Sequence, residues 1–226
     1  PVPVPRAPTP PLDGDLSTLP RVTPSERPGH SVVTFLWSEA DHPGEGAVEA
    51  VLLFANRLTD ETDLDATLLE RLPGTDLWHA SFEMPDEWRA SYCFLVQRAG
   101  SPAPWTSDGQ VALRAALDRG TADPRNPRTC RNRAGIVQSV VSLPEAPSQL
   151  WVELRSDVPA GQVTKHELGG RDVWLYDPPG AAPDEPLPLL LALDGDVWVG
   201  SQSLPTTLDN LLADEVIPRV RAVLVG

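Results

Sequence analysis

The apolar positions of residues 32–143 come in short bursts separated by turns. Val32–Trp37 and Val48–Asn56 are rich in β-branched and aromatic residues and flank a loop containing Gly44 and Gly46. Leu77–Met84 alternates strictly, with Trp78, Ala80, Phe82 and Met84 on one face and Leu77, His79, Ser81 and Glu83 on the other. Ser91–Gln97 and Ile136–Leu143 complete the set. Segments of this kind, punctuated by turns such as Pro73-Gly74, predict the strands of a β-sandwich. Val111–Asp118 instead carries helical spacing, and in DPRNP (Asp123–Pro127) two X-Pro steps predict an extended, ordered loop. Residues 1–28 are proline-rich and without periodicity, which predicts an extended, loosely held arm.

A proline-rich polar hinge, Pro144–Gln149, divides the β domain (29–148) from a second part (149–226). Beyond it the pattern changes. Leu150–Ser156 reads as a strand, and Val163–Leu168 with Arg171–Tyr176 as a hairpin across Gly169-Gly170. Leu187–Leu193 is almost unbroken apolar sequence, the pattern of a parallel strand buried on both faces. It runs directly into Asp194-Gly195-Asp196 and then Trp198, a polar turn at the place where open α/β sheets hold ligands. Leu208, Leu211, Leu212 and Val216 share a helical face that Pro218 ends, and Arg219–Gly226 begins another apolar strand. Antiparallel hairpin, parallel strand, helix, parallel strand is the opening of an α/β-hydrolase sheet, here expected to expose an unpaired edge at its last strand.

Composition adds exclusions. The 226 residues are 41% apolar and 22% charged, the balance of a globular protein, and no apolar run is long enough to cross a bilayer. A net charge of −14 speaks against nucleic acid or an anionic membrane as partner. The first residues lack the charged-then-apolar layout of a signal peptide. Against this acidity, Arg119, Arg125, Arg128, Arg131 and Arg133 fall within fifteen residues that hold Asp123 as their one acid. Two readings of that loop stand: a solvated surface, or a contact for an anion. Cys93, inside an apolar strand, reads as a small buried hydrophobe, and a disulfide with Cys130 is left open.

The residues also match a known family. GTDLWHASFEMPDEWRASYCF (Gly74–Phe94) resembles the signature of the N-terminal domain of the enterochelin (ferric enterobactin) esterases. TFLW (Thr34–Trp37), ADPRNP (Ala122–Pro127) and SLPEAP (Ser142–Pro147) fall in the same order as in that family. RDVWLYDPPG (Arg171–Gly180) and LDGDVW (Leu193–Trp198) resemble the start of its catalytic domain. The resemblance implies an immunoglobulin-like N-terminal domain followed by the N-terminal part of an α/β-hydrolase domain. It further implies a cytoplasmic serine esterase that hydrolyses the ester bonds of ferric catecholate siderophores such as enterobactin and frees the iron. Iron then enters as part of the substrate, and no cofactor or resident metal is expected.

The chain departs from the family in one respect. It has no G-x-S-x-G elbow, and Ser201 and Ser203 of Gly200–Ser203 stand at the wrong positions for one. The nucleophile, acid and base are expected after Gly226, in the same or a second polypeptide, so the chain alone is expected to be inactive. His30, His42, His79 and His166 lack catalytic spacing. The Gly195 and Asp196 N–H groups are candidates for one side of an oxyanion hole, against the alternative of a purely structural turn. Asp194 and Asp196 are too few carboxylates to suggest a metal. Trp198 is a candidate for stacking on a catechol ring, or else packs beneath the next helix. Arg125, Arg128, Arg131 and Arg133 are candidates for the flat, trianionic ferric tris-catecholate, on which guanidinium groups can stack. Arg89 is expected to be paired with a carboxylate. Two rival functions remain open: a feruloyl-type esterase with a carbohydrate-binding sandwich, and a non-catalytic siderophore-binding module.

Overall fold

The computed structural model describes residues 4–12, 15–107 and 109–226. The chain divides into two compact units, Pro1–Pro147 and Ser148–Gly226, and is mostly β-sheet with few helices. No helix among the described residues is long and apolar enough to cross a membrane.

The first unit contains β1 (Arg21–Pro24), β2 (His30–Ser38), β3 (Val48–Ala55), β4 (Glu70–Arg71), β5 (Leu77–Pro85), β6 (Arg89–Arg98), α1 (Gln110–Leu117), β7 (Thr129–Arg131) and β8 (Val137–Ser142). They form two antiparallel sheets, ordered β1-β2-β5-β4 and β3-β6-β8-β7. Alternation decides what each strand gives the core. Val33, Phe35 and Trp37 of β2 and Trp78, Ala80 and Phe82 of β5 meet Val51, Leu53, Tyr92 and Phe94 of the other sheet in one apolar cluster. Phe35 and Tyr92 sit edge-to-face with ring centroids 4.9 Å apart. The intervening residues of β3 and β6, Leu52, Phe54, Cys93 and Leu95, form a second cluster with Leu117 at the end of α1. β3 and β6 are therefore apolar on both faces, which is why VLLFA (Val51–Ala55) is an unbroken run.

The arm reading of residues 1–28 needs correction. Arg21–Pro24 pairs with Ser31–Thr34 as a strand, and Leu19 is buried at 4% exposure. Upstream, Arg6 reaches Glu70 and the carbonyls of Ala66 and Leu68, and the Ala7 N–H donates to the Ser81 carbonyl. Thr9 Oγ1 lies 2.9 Å from Ser81 Oγ, itself 2.9 Å from Thr34 Oγ1. This polar chain explains how Thr34 and Ser81, on the face turned away from the core, are nonetheless buried. Period-two alternation marks the face; it does not reveal a segment that later crosses it.

The second unit holds β9 (Gln162–Leu168), β10 (Arg171–Asp177), β11 (Leu189–Leu193), α2 (Gly195–Val199), α3 (Leu204–Ala213) and β12 (Arg221–Val225) in a sheet ordered β11-β12-β10-β9. β11 and β12 are parallel, and the other pairs antiparallel. Tyr176, Ala222, Leu224 and Leu208 form its core, with Trp174, Ala192 and Leu212 packed against them.

Four expectations fail here. β11 is an edge strand, with Leu189, Leu191 and Leu193 at 66%, 64% and 68% exposure, not a strand buried on both faces. The last strand, β12, lies between β10 and β11, so the open edge belongs to β11 rather than to it. Leu150–Ser156 is a run of turns and bends. Its polar groups are met from α3 and its C-cap instead of by a ladder: Asn210 Nδ2 donates to the Trp151 and Glu153 carbonyls, and Asp214 accepts from Trp151 Nε1 and Arg155. Finally, α3 stops at Ala213, with Glu215 at φ 56°, well before Pro218, and leaves Val216 exposed.

Candidate functional site

The turn after β11 is the start of α2. Asp194 adopts the left-handed region (φ 60°, ψ 45°), which aspartate tolerates better than most residues. Its carbonyl accepts the Val197 and Trp198 N–H groups at 3.0 and 3.2 Å. Gly195 is then forced by packing. A Cβ there would lie 2.7 Å from the Leu224 carbonyl carbon and 2.9 Å from the Val225 nitrogen. The close approach that this glycine permits is therefore to β12. The first N–H groups of any helix lack intrahelical acceptors, and α2 places those of Gly195 and Asp196 at the carboxyl end of a parallel strand pair.

Asp196 borders an open cleft of about 560 Å³, together with Gly169, Gly170, Arg171, Asp172, Trp174 and Gly226. Lys165 sits 2.8 Å from Asp172 and 5.3 Å from the Trp174 ring centre, and Arg171 donates to the Gly226 carbonyl at 3.2 Å. Trp198, 39% exposed, lines neither this cleft nor the core of the unit. Ser201 Oγ donates to the Val197 carbonyl at 3.4 Å, and Ser203 is the N-cap of α3. Neither serine has a histidine or carboxylate partner among the described residues.

The arginine loop of the first unit does not gather its guanidinium groups at one point. Arg125 pairs with Asp41 at 2.7 Å and also donates to the Leu16 carbonyl. Arg131 donates to the Gly135 carbonyl at 2.6 Å, and Arg133 lies 3.4 Å from Asp118. Arg128 is exposed beside a cleft of about 340 Å³ lined by Leu19, Pro20, Asn126 and Val141. Arg119 borders a different one, of about 330 Å³, with Phe94 and Gly120. Arg89, expected to meet a carboxylate, instead donates to Ser142 Oγ and the Pro147 carbonyl.

What the loop does build is a buried polar network. Asp123, 3% exposed, accepts from the Tyr92 hydroxyl at 2.8 Å and from the Arg125 N–H at 2.9 Å. Asn126 donates to Tyr92 Oη and to the Val140 carbonyl, and accepts from the Arg128 N–H at 2.9 Å. Burial pushes the Asp123 carboxyl up, and burial together with the Asp123 charge pushes the Tyr92 hydroxyl up, so the tyrosine remains the donor. The sequence carried a signal for this. Asp-Pro-Arg and Asn-Pro-Arg are tandem turns in which an Asx side chain takes the N–H two residues on. Both cysteines are free, and burial pushes the Cys93 thiol up to about 12.

Residues 32–152 match the family model described as the N-terminal domain of enterochelin esterase. The chain belongs to the enterochelin esterase family. It is 33% identical over 215 residues to the iron(III) enterobactin esterase of Dickeya dadantii (84% of this chain, 48% of that protein). To the iron(III) enterobactin esterase of Escherichia coli O6:H1 it is 26% identical over 204 residues, 85% of this chain and 51% of that protein. The crystal structure of ferric enterobactin esterase from Salmonella typhimurium shares the fold. Its TM-score is 0.70 at 24% identity, over 91% of this chain and 55% of that one. This enterochelin esterase chain thus spans about half the length of the curated relatives it matches.

Proposed function

We propose that this chain is the N-terminal portion of an esterase that hydrolyses the ester bonds of ferric catecholate siderophores such as enterobactin and releases iron in the cytoplasm. In this reading the first unit is an immunoglobulin-like β-sandwich, and the second is the opening of an α/β-hydrolase sheet. The observation that carries it is the start of α2 at the carboxyl end of the parallel pair β11–β12, in a chain whose first unit belongs to the enterochelin esterases. There the Asp196 N–H, or that of Gly195, serves as one of the two donors that stabilise the oxyanion of acyl transfer.

The nucleophilic serine and its histidine come from further residues, in the same or a second polypeptide; the relatives are about twice as long. The ferric tris-catecholate is met by arginine. Arg128, exposed beside a cleft of mixed lining, is the first to test, because Arg125, Arg131 and Arg133 already hold internal partners. Within the second unit, Trp198 is the candidate for stacking on a catechol ring.

Incubating the 226-residue chain with the iron-loaded trilactone should yield no linear product, and robust hydrolysis would overturn the assignment of the nucleophile to other residues. In the polypeptide that carries the serine, Asp196→Pro deletes one N–H at a helical position that tolerates proline. It should lower kcat about 10²–10³-fold with little change in KM. An unchanged kcat removes the Asp196 N–H from the oxyanion hole. Retention of the siderophore by full-length protein without any cleavage would favour a binding module over an esterase.

A further inference from the structure

We infer that Trp37 and His42 hold one buried water molecule, which accepts from the Trp37 indole N–H and donates to His42 Nε2. Trp37 closes the inward row of β2 and is 1% exposed, yet its Nε1 has no hydrogen-bond partner among the described residues. His42, in the loop after β2, stacks on it with ring centroids 4.9 Å apart and planes 21° from parallel. His42 Nδ1 lies 3.1 Å from the Ser38 carbonyl. A carbonyl only accepts, so Nδ1 carries a proton, and in that tautomer Nε2 is a bare acceptor. That nitrogen is buried and unpartnered as well. Two rings in contact therefore offer one donor and one acceptor without partners, in a class of atom that folded proteins rarely leave unpaired.

The surrounding polar groups are engaged elsewhere. Asp123 is taken up by Tyr92 Oη and the Arg125 N–H. The Arg125 guanidinium is held by Asp41, Arg98 donates to the His42 carbonyl, and Ser38 Oγ donates to Asp76. The occupant must donate and accept at once. A metal cation cannot accept, and a simple anion cannot donate. Water does both. Trp88 Nε1 is likewise buried and unpartnered, but among the described residues no orphan acceptor is stacked on it, so it offers half of such a site.

A crystal structure of the chain decides the point. One ordered water at about 2.7–3.2 Å from both Trp37 Nε1 and His42 Nε2 is expected. A dry site, or both nitrogens bonded to protein groups, overturns the inference. In solution, His42→Phe keeps an aromatic ring over Trp37 and deletes the acceptor. It should abolish the water density and shift the Trp37 indole N–H resonance while core methyl resonances hold. Trp37→Phe deletes the donor and should move the His42 Nε2 nitrogen shift toward that of a free imidazole. Should Trp37→Phe fail to fold, the half-buried His42 position still decides, because an unmoved Trp37 N–H in His42→Phe overturns the bridge.

Discussion

Two apolar runs of the same length, VLLFA in β3 and LLLAL in β11, each lie at the edge of a four-stranded sheet and meet opposite fates. From Val51 to Ala55 no residue exceeds 4% exposure, whereas Leu189, Leu191 and Leu193 are about two-thirds exposed. The strand itself does not make the difference. β3 faces the other sheet on one side and Leu117 of α1 on the other. Its free edge is also closed, because the segment after the short helical turn Leu64–Thr67 comes back to it. The Leu69 N–H donates to the Val51 carbonyl at 2.8 Å, and Leu52 bridges Leu68. β11 has β12 on one side and, among the described residues, no strand on the other. Burial is a property of what folds onto a run, and an edge strand needs its own cover.

The same substitution made in both runs puts the contrast to its hardest test. Leu53→Ala deletes a side chain at 0% exposure from the core of the first unit and should cost about 2–5 kcal/mol of unfolding free energy. Leu191→Ala should stay within about 0.5 kcal/mol. Denaturant unfolding of the two variants measures both. Equal losses would mean that β11 is covered in solution and that the contrast is not one of burial.

This explains which features were legible in the sequence. Leu77–Met84 could be read because its own alternation reports two environments, and Val32–Trp37 and Val48–Asn56 because β-branched and aromatic residues crowd them. The buried state assigned to Leu187–Leu193 failed because a continuous run reports only that both faces are apolar. β1 and β4 escaped notice for a related reason: RVTP and ER have too few apolar positions to show a period. Gly195 stood out at once, but the sequence could not say that its neighbour is the Leu224 backbone. The arginine loop was visible as charge, whereas its division among Asp41, Gly135 and Asp118 depends on residues distant or inconspicuous in sequence. The water bridge needs the tautomer of His42, which only the Ser38 carbonyl fixes.

In one respect the units are alike, which sharpens the comparison. Each buries a tyrosine hydroxyl against an aspartate that also accepts a backbone N–H. Tyr92 and Asp123 are 2.8 Å apart with the Arg125 N–H; Tyr176 and Asp209 are 2.7 Å apart with the Gly161 N–H. Removing either hydroxyl strips a charged acceptor of one donor. Tyr92→Phe and Tyr176→Phe should each cost about 1.5–3 kcal/mol. Separate unfolding transitions for the two units, followed by amide exchange, would show each variant acting in its own unit. A silent Tyr176→Phe would mean that the second unit's tyrosine is already solvated.

A somewhat smaller effect is expected at the turn after β11. Gly195→Ala sets a methyl group against the Leu224 and Val225 backbone, which cannot rotate aside as a side chain can. The strain should cost about 1–3 kcal/mol in the second unit. A shift of α2 away from β12 should move the backbone resonances of Asp194–Trp198 and leave the first unit untouched. If the variant is as stable as the parent, α2 and β12 are not held in the close contact that positions the Asp196 N–H.

The mildest test is a pH profile of the first unit. Burial raises the Asp123 carboxyl above its ordinary value of 3.8, and the Arg125 N–H and Tyr92 hydroxyl oppose that only in part. The folded state therefore holds this proton more tightly than the unfolded chain. The resulting stabilisation is complete below the unfolded value of about 3.8 and is lost as pH rises through the folded one. Asp76 works the other way. The Ser38 hydroxyl lowers its carboxyl, so its stabilisation is present above 3.8 and disappears as pH falls through the lowered folded value. Total stability thus mixes the two, and a variant must separate them. Asp123→Asn keeps acceptors for the Tyr92 hydroxyl and the Arg125 N–H while removing the titration. The wild-type advantage over Asp123→Asn should therefore shrink as pH rises above about 3.8 and through the raised folded value, and then level off. An advantage that grows over that range would show that the network favours the charged carboxylate, and that burial is not the dominant influence on Asp123.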